Sequence, residues 1–329
     1  MNILVTGGAG YIGSHTVKEL LLKDHNIVVF DNLSSGHRQA VLASAKLVIG
    51  DILDKKALDE IFSSRKFDAV MHFAASIEAG ESVLEPGRFF YNNGAGSLNL
   101  LEAMKKHNVK NIIFSSSAAV YGEPEQMPIT ETHPKNPTNT YGLTKLQVEQ
   151  MLERYDIAYG IKSVSLRYFN AAGADPEGQL GCDHKHKTHI ITVALLAALG
   201  KIPKLEIYGT DYDTKDGTCV RDFIHVTDLA RAHVLALEKL LGDKKSNTYN
   251  LGNEKGNSVR EVVAAVKEIT GKDFPVVEVG RRDGDPQKLI ASSQKAKKEL
   301  GWSPKHSTIE EIVKTAWQWQ RQHPEGYNG

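Results

Sequence analysis

A tyrosine and a lysine four residues apart, Tyr141 and Lys145 in the stretch NTYGLTKLQVE, share one face of any helix that contains them. A phenol titrates near pH 10 in water, which makes it a poor base at neutral pH. A neighbouring ammonium, or a positively charged ring, stabilises the phenolate and lowers that value. Such a pair can take or return a proton at a hydroxyl while hydride moves between the same carbon and a redox cofactor. Ser117, which closes the run FSSS 24 residues before Tyr141, completes the set. Its hydroxyl would hydrogen-bond the reacting oxygen and orient it.

The cofactor has its own signature near the N-terminus. VTGGAGYIG contains Gly8-x-Gly10-x-x-Gly13 and also the register Gly7-x-x-Gly10-x-x-Gly13, between a β-branched run and a helical stretch. Glycines there permit a tight turn and close approach of the backbone to a pyrophosphate, while the helix N-terminus offers free N–H groups to the anion. Asp31 ends the next apolar run 21 residues after Gly10, where a carboxylate holds ribose hydroxyls and repels the extra phosphate of NADP. The expected cofactor is NAD, with its adenine near Asp51 and Ile52.

These residues need a scaffold. Short apolar runs at Ile3–Thr6, Ile27–Asp31, Leu47–Ile49, Ala69–Phe73, Asn111–Phe114 and Ser163–Arg167 alternate with helical stretches, among them Gly13–Lys23, Leu98–Lys106 and Leu143–Tyr155. That alternation predicts an α/β fold, a Rossmann-type doubly wound parallel sheet, with ligands beyond the carboxyl ends of the strands. Helical crossovers return to the sheet, so Ser117, Tyr141 and Lys145 are expected to converge. A boundary is expected where Gly, Asp, Pro and His crowd between Ala171 and His189. The reading is an NAD-binding domain over 1–171 and a smaller C-terminal α/β substrate domain over 172–329, with elements near 222–251 returning to the first. Two helices in the second part are signalled by capping boxes at Ser258–Glu261 and Ser307–Glu310.

Composition narrows the class. The chain has 329 residues, 41% of them hydrophobic, enough for a substantial core. Forty basic and 40 acidic residues cancel, so no global field favours nucleic acid or an anionic membrane. Cys182 and Cys219 are the only cysteines and form no CxxC pattern, which argues against a disulfide framework or a thiolate metal site. The start MNILVTGG does not read as a signal peptide, and the apolar run Ile190–Leu199 is too short to span a bilayer. A cytoplasmic location is expected.

Taken together, TGGAGYIGSH, DNLSSG, GDI, HFAA, FSSSAAVYG, YGLTK, LRYFNAAGA, DGTCVRDFIHV, YNLGN and the C-terminal HPEGY resemble the extended short-chain dehydrogenase/reductases over almost the whole chain. Within that family they are most similar to the UDP-glucose 4-epimerases of galactose metabolism. The resemblance implies interconversion of UDP-galactose and UDP-glucose through a 4-keto sugar with transient NADH, NAD being regenerated in each cycle. It makes Tyr141 the base, Lys145 its modulator and ribose anchor, and Ser117 the orienting hydroxyl.

For the cofactor it implies contacts from the loop residues Gly7, Gly10, Tyr11, Ile12 and Gly13, and from Asp31, Asn32, Leu33, Ser34, Ser35 and Gly36 after the second strand. Further contacts fall on Asp51, Ile52, Phe73, Ala74 and Asn92, on Tyr141 and Lys145, and on Phe169. The sugar nucleotide would meet Ser117, Tyr141, Asn170, the pair His189 and Ile190, and Tyr208. Arg221, Arg282, Asp285 and Leu289 would complete that pocket, and two guanidinium groups suit a diphosphate as planar, bidentate donors. A homodimer is also implied, in which helices near Phe89–Lys106 and after Tyr141 pair across a two-fold axis.

Four positions at three places depart from the common pattern of the family. Ile77 replaces a frequent lysine, His189-Ile190 replaces an Asn-Leu type pair, and Leu289 replaces a frequent tyrosine. The shorter leucine predicts room for UDP-N-acetylglucosamine (UDP-GlcNAc) and UDP-N-acetylgalactosamine (UDP-GalNAc). Sugar-nucleotide dehydratases of the same fold carry an Asp-Glu pair where this chain has Ala118 and Ala119, so the groups for eliminating water are missing. No cation for a UDP-glucuronate carboxylate is identified. A non-catalytic NAD-binding regulator would be expected to lose Tyr141 or Lys145. His184, His186 and His189 lie in a Gly- and Asp-rich loop without regular ligand spacing, and the expectation is a solvated loop with no metal. Trp317 and Trp319 read as packing residues.

Overall fold

The computed structural model describes residues 1–184, 187–282 and 285–328. The chain opens with β1 (Asn2–Thr6), α1 (Tyr11–Leu21) and β2 (Asn26–Asp31), followed by β3 (Lys46–Ile49), α2 (Lys55–Ser64) and β4 (Ala69–His72). Two short helices, α3 (Ala79–Leu84) and α4 (Pro86–Phe89), lead through a π turn into α5 (Gly96–Lys106). Then come β5 (Asn111–Ser115), the long α6 (Thr140–Tyr159) and β6 (Lys162–Tyr168). These six strands are parallel, as helical crossovers require.

Alternation along each strand feeds two cores. Ile3 and Val5 of β1 pack on one face with Val17 and Leu20 of α1, while Leu4 packs on the other with Leu58 of α2 and Leu100 of α5. A strand buried on both faces needs an unbroken apolar run, and ILV in β1 and IVVF in β2 supply it.

The second part contains β7 (Asn170–Ala172), α7 (Ile190–Ala198), β8 (Leu205–Tyr208) and β9 (Val220–His225). The chain then turns back. Helix α8 (Val226–Asp243) packs along α1, and β10 (Asn247–Leu251) adds to β6 as the seventh parallel strand, giving the order β10-β6-β5-β4-β1-β2-β3. The chain leaves again through β11 (Gly256–Ser258), α9 (Val259–Thr270), β12 (Val276–Val279) and β13 (Lys288–Leu289), and ends with α10 (Gln294–Leu300) and α11 (Ile309–Gln322). Here β9 is flanked by β11, β13 and β7, while β8 pairs with β12. Ala296, Leu300 and Trp302 return to the first core beside α8.

Asn139 caps α6 by accepting from the Gly142 N–H at 2.9 Å, and Gly160 ends the helix in the left-handed conformation. The capping box of α9 lies at Ser258 and Glu261. That of α11 is formed by Thr308 and Glu311, one residue later than the expected Ser307 and Glu310. Trp319 is buried beside Leu180 and Tyr327, and Trp317 packs partly buried against the second part's core. Among the described residues no helix is long and apolar enough to cross a membrane.

Candidate active site

The glycine loop connects β1 to α1 beneath the carboxyl edge of the sheet. Gly7 has φ +74°, and a Cβ there would meet the Ala74 backbone nitrogen at 2.5 Å. A Cβ on Gly13 would meet the Gly7 carbonyl oxygen at 2.2 Å, so the helix can seat this close to the loop only with glycine. No side chain caps the N-terminus of α1. Its first N–H groups therefore suit a pyrophosphate.

Asp31, at the end of β2, accepts from the N–H groups of Ala9 at 3.0 Å and Leu33 at 2.8 Å. Burial raises its pKa, and those two N–H groups oppose the rise. A cleft of about 710 Å³ lies above, lined by Gly10, Tyr11, Ile12, Asp31, Asn32 and Ser34 at one end, with Ser35, Gly36, Asp51 and Ile52 beside them. Phe73, Ala74, Asn92, Ser117, Tyr141, Lys145 and Phe169 line it further along. An anion-binding helix start, a ribose carboxylate and a long cleft in this order fit an adenine dinucleotide. Leu33 is not among the lining residues: with φ +56° its side chain turns away and packs against the core around β1.

At the far end stand the three proposed catalytic residues. Ser117 follows β5, and its Oγ accepts from the Ala119 N–H at 3.1 Å. Tyr141 and Lys145 occupy the first turns of α6, where the Tyr141 N–H donates to Ser82 Oγ at 3.0 Å. Lys145 Nζ donates to the Ser115 carbonyl at 2.7 Å and lies 5.7 Å from the centre of the Tyr141 ring. Burial pushes Lys145 down to about 7. Tyr141 is pushed up to about 12 by burial, against a hydrogen bond from Ser117 that pulls it down.

The chain's own residues therefore raise the phenol, where a lowered one was expected from the neighbouring ammonium. The cost of burying a phenolate exceeds what Ser117 returns, and Lys145 itself resists holding its charge. Glu78, which the sequence reading passed over, also lines the cleft and raises Tyr141 further.

Helix α6 is held to the sheet by charge as well as by apolar packing. Glu149 Oε1 accepts from Ser116 Oγ at 2.6 Å and Arg167 Nε at 2.9 Å, and Oε2 accepts from Arg167 Nη2 at 2.5 Å. Glu149 and Arg167 are 5% and 3% exposed, and such a pair is costly to break from one side. It holds α6 against β6 and thereby places Tyr141 over the end of β5.

A second cavity of about 520 Å³ continues from the cleft, and the two share Tyr11, Asn170, Ala171 and His189. Its lining includes Ile190, Tyr208, Arg221, Arg282 and Asp285. Arg221, on β9, donates to the Pro286 carbonyl at 2.7 Å and to Asp285 at 3.3 Å. The Arg282 guanidinium stacks 3.6 Å from the centre of the Tyr208 ring. Buried Asp222 fixes the strand by accepting from the N–H groups of Asn253, Glu254 and Ala291. Leu289 lines neither cavity: it pairs with Arg221 and packs against Val120, Tyr121, Ile129 and Leu146.

The sequence reading also passed over Arg88, which lines the dinucleotide cleft while paired with Glu81. Glu78 and Arg88 follow the carboxyl end of β4, and charged residues in that position carried the only signal. Cys182 lies beside His184 and His189 at the seam of the two cavities, whereas His186 lies outside the described residues.

Fold and site together define a dinucleotide-dependent enzyme of the short-chain dehydrogenase type. The profile of the NAD dependent epimerase/dehydratase family matches residues 3–252, and the chain belongs to that family. It is 50% identical to the UDP-glucose 4-epimerase of Lacticaseibacillus casei, covering 99% of both chains. It is 51% identical to that of Halalkalibacterium halodurans, covering 100% of this chain and 98% of the relative. The crystal structure of the Bifidobacterium longum UDP-glucose 4-epimerase in complex with NAD+ and UDP superposes with a TM-score of 0.94, at 40% identity over 99% of this chain and 100% of that one.

Proposed function

We propose that this chain is an NAD-dependent UDP-glucose 4-epimerase that interconverts UDP-galactose and UDP-glucose. The observation that carries the reading is the meeting of Ser117, Tyr141 and Lys145 at one end of the dinucleotide cleft, where a second cavity with two arginines begins. Bound NAD supplies the acceptor and donor of hydride at sugar C4. Tyr141 takes the proton of the C4 hydroxyl and returns it after the keto sugar has turned over. Ser117 holds that oxygen, and protonated Lys145 favours the phenolate. Arg221 and Arg282 hold the diphosphate, while Asn170, His189 and Tyr208 shape the rest of the pocket. Ala118 and Ala119 offer no acid or base, so the keto sugar is returned without loss of water.

Incubating the purified protein with UDP-galactose, without added NAD, and resolving UDP-glucose by chromatography tests this directly. A dehydrated product, or no conversion even with NAD supplied, would refute it. A second reading concerns the sugar. Leu289 stands outside both cavities, so the support is the 44% identity to the UDP-Glc/GlcNAc 4-epimerase of Campylobacter jejuni, which favours acceptance of UDP-GlcNAc and UDP-GalNAc, and an absence of turnover of both would overturn it. Exposed Val83, Leu84, Tyr91, Leu98, Leu143 and Ile157 on α3 to α6 support a homodimer paired through these helices.

A further inference from the structure

Among the described residues one cluster of metal-ligating side chains stands beside the catalytic groups and shares only His189 with the residues assigned to the nucleotide. Cys182, His184 and His189 each present one donor atom, and the three atoms lie within 4.8 Å of one another. We propose that they form a binding site for a thiophilic divalent cation such as Zn²⁺ at the seam between the two cavities, and that its occupancy inhibits the enzyme. The binding stands on this geometry alone, whereas the inhibition rests on the epimerase reading.

A tetrahedral zinc ion with one thiolate and imidazole ligands has S···N edges of about 3.5 Å. The Cys182 Sγ to His184 Nδ1 separation is 3.7 Å, close to that edge already. The remaining edges need a contraction of about 1 Å, within reach of side-chain rotation. The His184 and His189 rings stand nearly perpendicular with centroids 5.5 Å apart, so their edges can converge on one point.

Each ligand rests on a different support. The Thr192 hydroxyl faces Cys182 Sγ at 4.0 Å, and the His184 ring stands edge-on to Tyr11, whose hydroxyl is fixed on the Gly173 carbonyl. The His189 carbonyl accepts from Val193 in the first turn of α7. The charges facing the cluster are Glu78, Asp183 and Lys187. Lys187 is tied to Asp183 at 2.7 Å, which offsets its repulsion of a cation. A Cys-x-His-x₄-His arrangement thus has a soft thiolate, two borderline imidazoles and a nearby carboxylate, a donor set that favours zinc over magnesium or calcium.

Position gives the consequence. His184 and His189 line the dinucleotide cleft, and Cys182 and His189 line the sugar-nucleotide cavity. A cation there withdraws His189 from the nucleotide and narrows the passage both ligands share. Inhibition should raise the apparent KM for the sugar nucleotide with little change in kcat, and a chelator should reverse it.

The holoenzyme is titrated with Co²⁺, free of thiol reductants, and the near-ultraviolet thiolate-to-cobalt band is followed. One equivalent should give this band and Zn²⁺ should abolish it. Cys182→Ser should keep its melting temperature, lose the band, and, relative to its own metal-free turnover, need about tenfold more Zn²⁺ for half-inhibition, at least the cost of disturbing an outer-shell partner. Cys219→Ser should behave as the parent. A band that follows Cys219, or an unchanged Zn²⁺ response in Cys182→Ser, overturns the site. The cobalt signal needs no turnover, so it stands or falls separately from the epimerase reading.

Discussion

Replacing Lys145 by methionine removes an ammonium 5.7 Å from the Tyr141 ring while nearly preserving its length. At an effective dielectric constant of about 20, a unit charge at that distance contributes about 3 kcal/mol to the phenolate, or about 2 pKa units. If proton removal by Tyr141 limits the rate, kcat at pH 6 should fall about 100-fold. Burial brings Lys145 down to about 7, so the parent loses the benefit of its charge as pH rises. The ratio of parent to variant should therefore shrink above neutrality. The assay is kcat for UDP-galactose from pH 6 to 9.5, with melting temperature as the control for folding. A uniform loss across the whole range would mean that Lys145 acts only by holding Ser115, and the electrostatic reasoning would fail.

Glu149→Gln leaves the Arg167 guanidinium buried without its counter-charge, and urea unfolding should show a loss of about 3–5 kcal/mol. The paired change Glu149→Met with Arg167→Met should recover most of that loss, and a double variant as unstable as the single one would contradict the account. Among the described residues four histidines are 0–2% exposed, His15, His72, His225 and His233, and burial lowers them to about 4, 3, 3 and 4. Their folded pKa values lie below the unfolded value near 6.5, so their contribution is complete above that pH and is lost as pH falls toward 3–4. At pH 5 each costs about 2 kcal/mol, together about 8, comparable to the whole stability of a typical domain. Circular dichroism should show unfolding setting in near pH 5, and His233→Phe should move the onset lower. Constant stability from pH 7 to 4.5 would refute this.

Much of the site was legible because its chemistry dictates residue types at short range. The turn between β1 and α1 needs glycines at fixed places, and the helix repeat places Tyr141 and Lys145 on one face. Register within loops was less legible. Ser307 and Thr308 both precede a glutamate by three residues, so the sequence alone does not choose between two overlapping capping boxes, and the structure selects the second. The positive φ of Leu33, which turns its side chain inward, has no periodic signal. The direction of the Tyr141 shift depends on its burial in the fold, with a smaller push from the charge of Glu78, far off in sequence. Cys182, His184 and His189 meet without a helical or strand repeat because separate contacts position each of them.

The threading of the chain has a consequence for how the molecule forms. Residues 1–171 leave β6 as an edge strand, and the surface of α1 covered by α8 remains bare until residues 226–243 arrive. Trp302 closes over α8 by donating from Nε1 to the Asp228 carbonyl. During synthesis the first six strands must therefore wait, partly assembled and with apolar surface exposed, until residues 226–302 have left the ribosome.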